Sequence, residues 1–307
     1  SIVDDKAELR DAAHLWGKTV WHTEETLKKE LQDPLTRVSS IGRAGENLVL
    51  FAAVVNDLHR AAGRSGVGAV AGSKNLKAIA VRGTQGVGNI RDPKAFMKVT
   101  AEKKKILHDH PVTGQGLPTY GTQVLMNVIN ETGSLPTRNH RDVQFEGASK
   151  ISAEAMLAKR ADGKSHLVTN QACFGCTIAC GRISKIDEKH FSVVNKPEYW
   201  GASGGLEYEA AWALGAAPGV DDLEALQYAN LLCNEDGMDP ISFGATLGAA
   251  MELYDLGLIT QEHTGIDLKF GSAEALCRAA EMTARGEGFG KELGQGSKRL
   301  TAKYGRP

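Results

Sequence analysis

Apolar positions recur at helical spacing from Asp4 to Leu31 (Leu9, Ala12, Ala13, Trp16, Val20), and a second short helix is expected from Thr23, with Glu24 and Glu25 in its first turn. Leu35 to Ile41, just after Pro34, alternates weakly and predicts a strand. Leu48 to Arg60 is patterned as a helix, and Leu76 to Val81, with β-branched Ile79 and Val81, as a strand. Asp92-Pro93 opens a helix with proline at the first helical position. From there the pattern is mainly helical. Asp221 or Asp222 caps a helix through Leu223, Leu226, Ala229 and Leu232 that stops at Gly237. Asp239-Pro240 starts another that runs to Gly257, and Ser272 begins the last clear one, through Leu276 and Ala280. The chain changes character near Thr84, from mixed and glycine-rich to helical, without an internal repeat.

Composition narrows the classes. The 307 residues suffice for one large domain or two medium ones. Thirty-six Lys and Arg against 37 Asp and Glu leave a net charge of −1, which with no long basic run argues against nucleic acid as a partner. No apolar stretch approaches the roughly 20 residues that span a bilayer. Sparse cysteine and no N-terminal signal segment point to a reducing cytoplasm. The 35 glycines and 6% aromatics suit backbone brought close to a cofactor, although turns and helix caps would use glycine equally well. The chain starts at Ser1 without a methionine and reads as one piece of a longer polypeptide.

Cys173, Cys176 and Cys180 carry the sharpest chemical signal. Spaced two residues and then three, they read as three of the four thiolates of an iron–sulfur cluster. Structural zinc would show two separated ligand pairs, whereas His166 and His190 flank the cysteines at odd distances; zinc and plain thiols remain the alternatives. Cys233 and Cys277 lie in apolar helical patterns and read as small core hydrophobes, so the fourth ligand is expected from elsewhere.

Gly63 to Lys74 offers Gly-x-Gly-x-x-Ala, the dinucleotide fingerprint, which needs a strand before it and a helix after it. Here the pattern predicts the reverse, which argues against nicotinamide. Its unobstructed backbone N–H groups, with Arg64 and Lys74 nearby, suit a phosphate; a tight structural loop is the alternative.

Six segments occur in an order that resembles the tungsten-containing aldehyde:ferredoxin oxidoreductases. They are Gly42–Asn47, Arg60–Val70, Gly72–Ile79, Leu135–Asn139, the cysteine loop, and Glu207-Tyr208-Glu209 with Trp212–Gly215. The resemblance implies an α+β fold: residues 1–83 as the end of a β-rich pterin-binding domain, and residues 84–307 as a mainly α-helical middle domain carrying the cysteine loop. It implies tungsten held by two pterins, magnesium at their phosphates, and a [4Fe–4S] cluster on Cys173, Cys176 and Cys180. Arg64, Ser65, Gly66 and Gly68 would approach the phosphates. Asn234, Met238 and Asp239 stand in a pterin motif whose usual first aspartate is Asn234 here, and Asp239 doubles as the cap before Pro240. Glu207 would handle a proton beside the tungsten, or simply begin a helix.

The implied reaction oxidises aldehydes to carboxylic acids, passing electrons to ferredoxin or an iron–sulfur subunit. Reduction of benzoyl-CoA-type thioesters is one alternative, and an inactive fragment or cluster-bearing scaffold another. The fourth cluster cysteine, a second pterin motif and a catalytic histidine would lie in the rest of the same polypeptide. The family's intersubunit iron position falls near Tyr228, which supplies no metal carboxylate, and a homo-oligomer is left open. Leu117, Pro118, Tyr120, Arg138, Asn139 and His140 are the candidates for a substrate pocket.

Overall fold

The structure is a computed structural model that describes residues 1–305. Its first part is a six-stranded sheet. In chain order come β1 (Ile2–Val3), β2 (Lys6–Ala7), α1 (Val20–Glu30), β3 (Arg37–Ser40), α2 (Arg43–Glu46), β4 (Val54–Asn56), β5 (Arg60–Ala62), α3 (Val67–Ser73) and β6 (Ala78–Arg82). The strand order is β2-β1-β6-β3-β4-β5, antiparallel throughout except for the β1–β6 pair.

Three local expectations are corrected in this part. The early helix does not run from Asp4: Gly17 turns the chain in the left-handed region at φ 81°, and Thr19, accepting the His22 N–H, caps a helix that begins only at Val20 and contains Thr23. Leu48 to Arg60 is not helical. Leu48, Asp57 and Leu58 take positive φ, and Val54 and Val55 enter a hairpin because β-branched residues pack well on a pleated surface. A helix, α3, rather than a strand follows the glycine loop. The strand β5 and helix α3 thus flank the loop as a dinucleotide site requires, yet β5 is an edge strand paired antiparallel to β4, so no parallel crossover unit exists there.

The second part is mainly helical, as the pattern predicts. It holds α4 (Pro93–Asp109), α5 (Leu117–Tyr120), α6 (Leu125–Glu131), α7 (Ala153–Leu157), β7 (Leu167–Gln171), β8 (Gly181–Ser184), β9 (Ser203–Gly204), α8 (Tyr208–Ala211), α9 (Leu223–Asp236), α10 (Pro240–Asp255), α11 (Gln261–Thr264), α12 (Ala273–Arg285), α13 (Gly290–Leu293) and α14 (Ser297–Tyr304). Asp92, Asp222, Asp239 and Ser272 each cap the helix they precede, and Gly237 ends α9 in the left-handed conformation at φ 67°. The small antiparallel sheet β7-β8-β9 and the helices beyond Arg285 are additions to the predicted set. The fold is α+β.

One hydrophobic core joins the two parts. Ala44, Val49, Phe51 and Ala52 pack into the same cluster as Tyr228, Leu232, Phe243, Leu247 and Leu276. Backbone bonds cross the joint, from Ala53 N–H to Gly237 O at 2.7 Å and from Asp239 N–H to Phe51 O at 3.1 Å. Arg43 reaches the buried Asp236 there, Nε to Oδ1, at 2.5 Å. Gly42 permits this approach, because a Cβ on it would lie 2.3 Å from the Asp236 carbonyl carbon.

Candidate functional site

The joint opens into a cleft of about 340 Å3 whose walls come from both parts. His59, Arg60 and Arg64 line it from β5 and its flanks, Arg182 from β8, and Glu207, Asn234 and Asp239 from the helical part. Glycines form much of the wall. A Cβ on Gly181 would meet the Arg60 guanidinium at 2.3 Å, and one on Gly204 would meet His59 Nδ1 at 2.9 Å and the Asn234 amide at 3.0 Å. The glycines therefore keep polar groups at the surface of the cleft.

Three arginines, Arg60, Arg64 and Arg182, and three carboxylates, Glu207, Glu209 and Asp239, share this surface. Arg182 is buried and donates to the Leu117 and Pro118 carbonyls at 3.2 and 3.3 Å and to the Asn170 side chain. Burial lowers its pKa, and Glu207 opposes that. Arg64 lies 3.7 Å from Asp239, whose carboxylate also accepts the Ile241 and Ser242 N–H groups, so Asp239 is a helix cap and a wall residue at once. Glu207 stands at the N-terminus of α8, accepts the Thr122 hydroxyl, and lies 3.8 Å from Arg60.

His59 and Arg182 escaped the sequence reading. His59 Nδ1 is buried without a partner, and burial followed by the charge of Arg60 holds the imidazole pKa below its ordinary value. A ring with an unsatisfied nitrogen beside the Arg60 guanidinium fits a hydrogen-bonding ligand, such as the ring edge of a pterin. Nothing in the spacing of either residue marks it in the chain; pairing of β5 with β4, and of β8 with β9, brings them together.

The remaining candidates divide between cleft and packing. Gly66, at φ 70°, and Gly68 face the protein interior: a Cβ would lie 2.3 Å from Leu50 O in the first case and 2.6 Å from Ala53 O in the second. Ser65 sits in the turn between them and Gly63, its N–H bonded to Gly63 O at 2.9 Å. Met238 is buried and bridges to Ala52. Of the substrate-pocket candidates, Leu117 and Pro118 contact Arg182 through their carbonyls. Arg138, Asn139 and His140 lie elsewhere, where Arg138 pairs with Asp142 and Glu146 and Asn139 bonds Glu252.

The cysteine loop leads directly into β8 and so into Arg182. Cys173 and Cys176 are exposed and Cys180 half-buried, while Cys233 and Cys277 are buried. Among the described residues no three His, Cys, Asp or Glu side chains converge on a single metal position. The Ile178 N–H points at Cys176 Sγ at 3.4 Å; this bond and one from Ala179 lower the Cys176 pKa and favour the thiolate a metal needs. Burial, then Glu207, pushes the Cys180 thiol up, with Arg60 opposing.

Residues 98–307 match the family model described as aldehyde ferredoxin oxidoreductase, domains 2 and 3, and residues 1–83 match that of its N-terminal domain. The chain belongs to the aldehyde ferredoxin oxidoreductase family. It is 47% identical over 308 residues to the tungsten-containing aldehyde ferredoxin oxidoreductase of Pyrococcus furiosus and 48% identical over 308 residues to that of Thermococcus kodakarensis. In both cases the alignment takes in 100% of this chain and 48% of the relative, so the chain spans about half the length of these curated relatives. The WOR-like subunit of aliphatic sulfonate oxidoreductase from P. furiosus is 29% identical over 98% of this chain and 48% of its own. Among solved structures, the active-site complex BamBC of benzoyl coenzyme A reductase, with 1,5-dienoyl-CoA, superimposes with a TM-score of 0.76 over 99% of this chain and 45% of that one; at 24% identity it shows the fold alone. Among the described residues of this family member, no helix is long and apolar enough to cross a membrane.

Proposed function

We propose that the polypeptide containing this chain oxidises aldehydes to carboxylic acids at a bis-pterin tungsten centre in a reducing cytoplasm. The observation that carries this reading is the placement of Glu207 in one cleft with Arg60, Arg64 and Arg182, beside the cysteine loop. Residues 1–83 supply the end of the N-terminal pterin-binding domain, and residues 84–307 the middle helical domain with that loop.

The bound tungsten–pterin group supplies a centre that takes up two electrons. Arg64, the Ser65 hydroxyl and the Gly66 backbone would serve the pterin phosphates and their magnesium, while Gly68, its N–H engaged with Ala52 O, packs the loop behind them; Arg60 and Arg182 would offset the negative charge. Asn234 and Asp239 shape the far wall, with Met238 packed behind them, and the Asn234 amide offers both a donor and an acceptor. Glu207 holds the water that attacks the aldehyde carbonyl and takes its proton, oriented by the Thr122 hydroxyl. One aldehyde and one water then give one carboxylic acid, two protons and two electrons. Cys173, Cys176 and Cys180 would hold three corners of a [4Fe–4S] cluster, which would supply a one-electron relay toward ferredoxin or a partner iron–sulfur subunit.

Anaerobic purification of the full-length protein, with metal analysis and an assay of aldehyde-dependent dye reduction, tests the reading. Tungsten with about four irons per polypeptide, and aldehyde oxidation, is the expected result. Reduction of benzoyl thioesters without aldehyde oxidation would replace it with the thioester reductase, and a folded protein free of tungsten with a cluster-bearing scaffold.

A further inference from the structure

We propose that Arg182 is a positioning residue for the reaction proposed above: it locks the base of the cysteine hairpin to the segment that aims Glu207, so that the proton acceptor and the three thiols keep one fixed spacing. What the spacing serves rests on that functional reading; the lock itself rests on the fold.

Strands β7 and β8 form a hairpin whose connection is the cysteine loop, and Asn170 and Arg182 face each other at its base. Asn170 stands three residues before Cys173, and Arg182 two after Cys180. Arg182 is 5% exposed, yet among the described residues it is in no salt bridge. Its guanidinium donates instead to Leu117 O at 3.2 Å, to Pro118 O at 3.3 Å and to Asn170 Oδ1. The Asn170 amide donates in turn to Pro118 O. Both residues at the hairpin base thus grip the same short helix, α5. Burying a cation without a carboxylate is costly, and carbonyl groups offset that cost only if several are held at once. A planar guanidinium with five N–H donors can do so, whereas an ammonium presents a single point of charge.

From Arg182 the grip reaches Glu207 by two routes. Gly121 follows α5 at φ 61°, and a Cβ there would lie 2.5 Å from Arg182 Nε and 3.0 Å from Cys180 O. The turn is therefore seated directly on the guanidinium and on the end of the cysteine loop. The next residue is Thr122, whose hydroxyl donates to Glu207 and accepts the Tyr208 N–H. The second route is backbone. Arg182 O accepts the Gly205 N–H at 2.8 Å, two residues before Glu207, and a Cβ on Gly205 would lie 2.9 Å from Arg182 Cβ. Glu207 is thus held from both sides by groups anchored on one arginine. A shift of the hairpin is passed to the carboxylate rather than absorbed by a slack loop. In the proposed reaction the proton goes to Glu207 and the electrons go by way of the cysteine loop, so the rate depends on both being in place together.

The test uses the full-length, anaerobically purified protein. Arg182→Lys keeps the charge and loses the fork. It should retain iron and tungsten, lower kcat about tenfold and leave the KM for aldehyde within about twofold. Because Arg182 acts through Thr122, its effect should not multiply with that of Thr122→Val: the double variant loses about tenfold, against about a hundredfold for two independent changes. Hydrogen exchange supplies a readout that needs neither turnover nor a loaded cofactor. Residues 117–124 and 203–208 should exchange about fivefold faster or more in Arg182→Lys, with α12 unchanged. Asn170→Ala, at an exposed position, should loosen the same two segments by less, and it decides the matter if the lysine variant does not fold. Unchanged exchange at both segments, a hundredfold loss in the double variant, or a raised KM at unchanged kcat would each overturn the proposal. A wild type without aldehyde activity, whose two segments still loosen together in Arg182→Lys, overturns only the functional reading.

Discussion

The Thr122 hydroxyl donates to Glu207 Oε2 across 85 residues of sequence, and Thr122 Oγ1 in turn accepts the Tyr208 backbone N–H at 2.9 Å. Thr122 thus ties the carboxylate to the first turn of α8 and fixes which way it faces. If Glu207 handles the proton, Glu207→Gln should lower kcat by about 100-fold or more while the protein still folds and binds tungsten. Thr122→Val leaves the carboxylate but frees it, and should cost about tenfold in kcat. Steady-state kinetics with one aldehyde decide; full activity of the glutamine variant would remove Glu207 from the chemistry.

Asp236 is the most deeply buried carboxylate of the joint, its side chain 1% exposed, and Arg43 is its cationic partner. Burial pushes its carboxyl pKa up, and Arg43 draws it back. Arg43→Met should therefore destabilise the full-length protein by about 3–5 kcal/mol, because an unpaired charge stays in the core. Asp236→Asn with Arg43→Met should recover part of that loss, as measured by denaturant unfolding. Equal stability of Arg43→Met and wild type would show that the pair does not hold the joint.

Local rules made the long helices legible: an aspartate or serine cap at Asp92, Asp222, Asp239 and Ser272, and a glycine stop at Gly237. Glu207 was singled out by the resemblance to a family motif, and the cysteine loop by residue type and spacing. Gly66 and Gly68 stood out for the same reason, yet in the fold their missing side chains serve close packing against Leu50 and Ala53. His59 and Arg182 could not be found that way, since only the hairpin β4–β5 and the small sheet bring them to one cleft. Helix α3 was hidden by its composition. Three of its positions, Gly68, Gly72 and Ser73, are poor helix formers, and tertiary contact rather than propensity holds it.

That contact can be broken at one atom. A Cβ on Gly72 would lie 2.0 Å from the Gly45 carbonyl oxygen of α2, closer than any side chain can sit. By propensity alone Gly72→Ala would stabilise a helix by up to ~1 kcal/mol. Here overpacking wins, and thermal unfolding should show a loss of about 1–3 kcal/mol. A gain in stability would mean that α2 and α3 separate freely.

Cysteine substitution separates the ligand set from the core thiols. If Cys173, Cys176 and Cys180 are the cluster thiolates proposed above, alanine at any of them should abolish the visible absorbance of the anaerobic protein and cut its iron content. Cys233→Ala should keep the iron and lose only the packing of a buried thiol. Iron content falling with Cys233→Ala but not with Cys176→Ala would reverse the assignment.

Glu235 gives the fold a pH dependence of its own. It borders a cavity of about 480 Å3 with Trp21, His22, Arg43 and Tyr199, on the side of α9 that faces α1. Burial raises its carboxyl pKa from 4.5 to about 7, against the Thr19 hydroxyl and the Trp21 N–H, which favour the anion; Asp236 reinforces the rise and Arg43 opposes it. Between those two values the folded state holds a proton that the unfolded chain has lost, so stability must fall as pH rises through this window and level off above about 7. With ~1.4 kcal/mol for each pH unit between them, the loss is on the order of 3 kcal/mol. Glu235→Gln keeps the shape without the charge, so its stability relative to wild type should climb from pH 4.5 to 7 and then hold constant. Urea unfolding of both proteins at half-unit steps measures that difference; a difference that stays flat across the window would mean that Glu235 is ionised in the fold and that its cavity is wet.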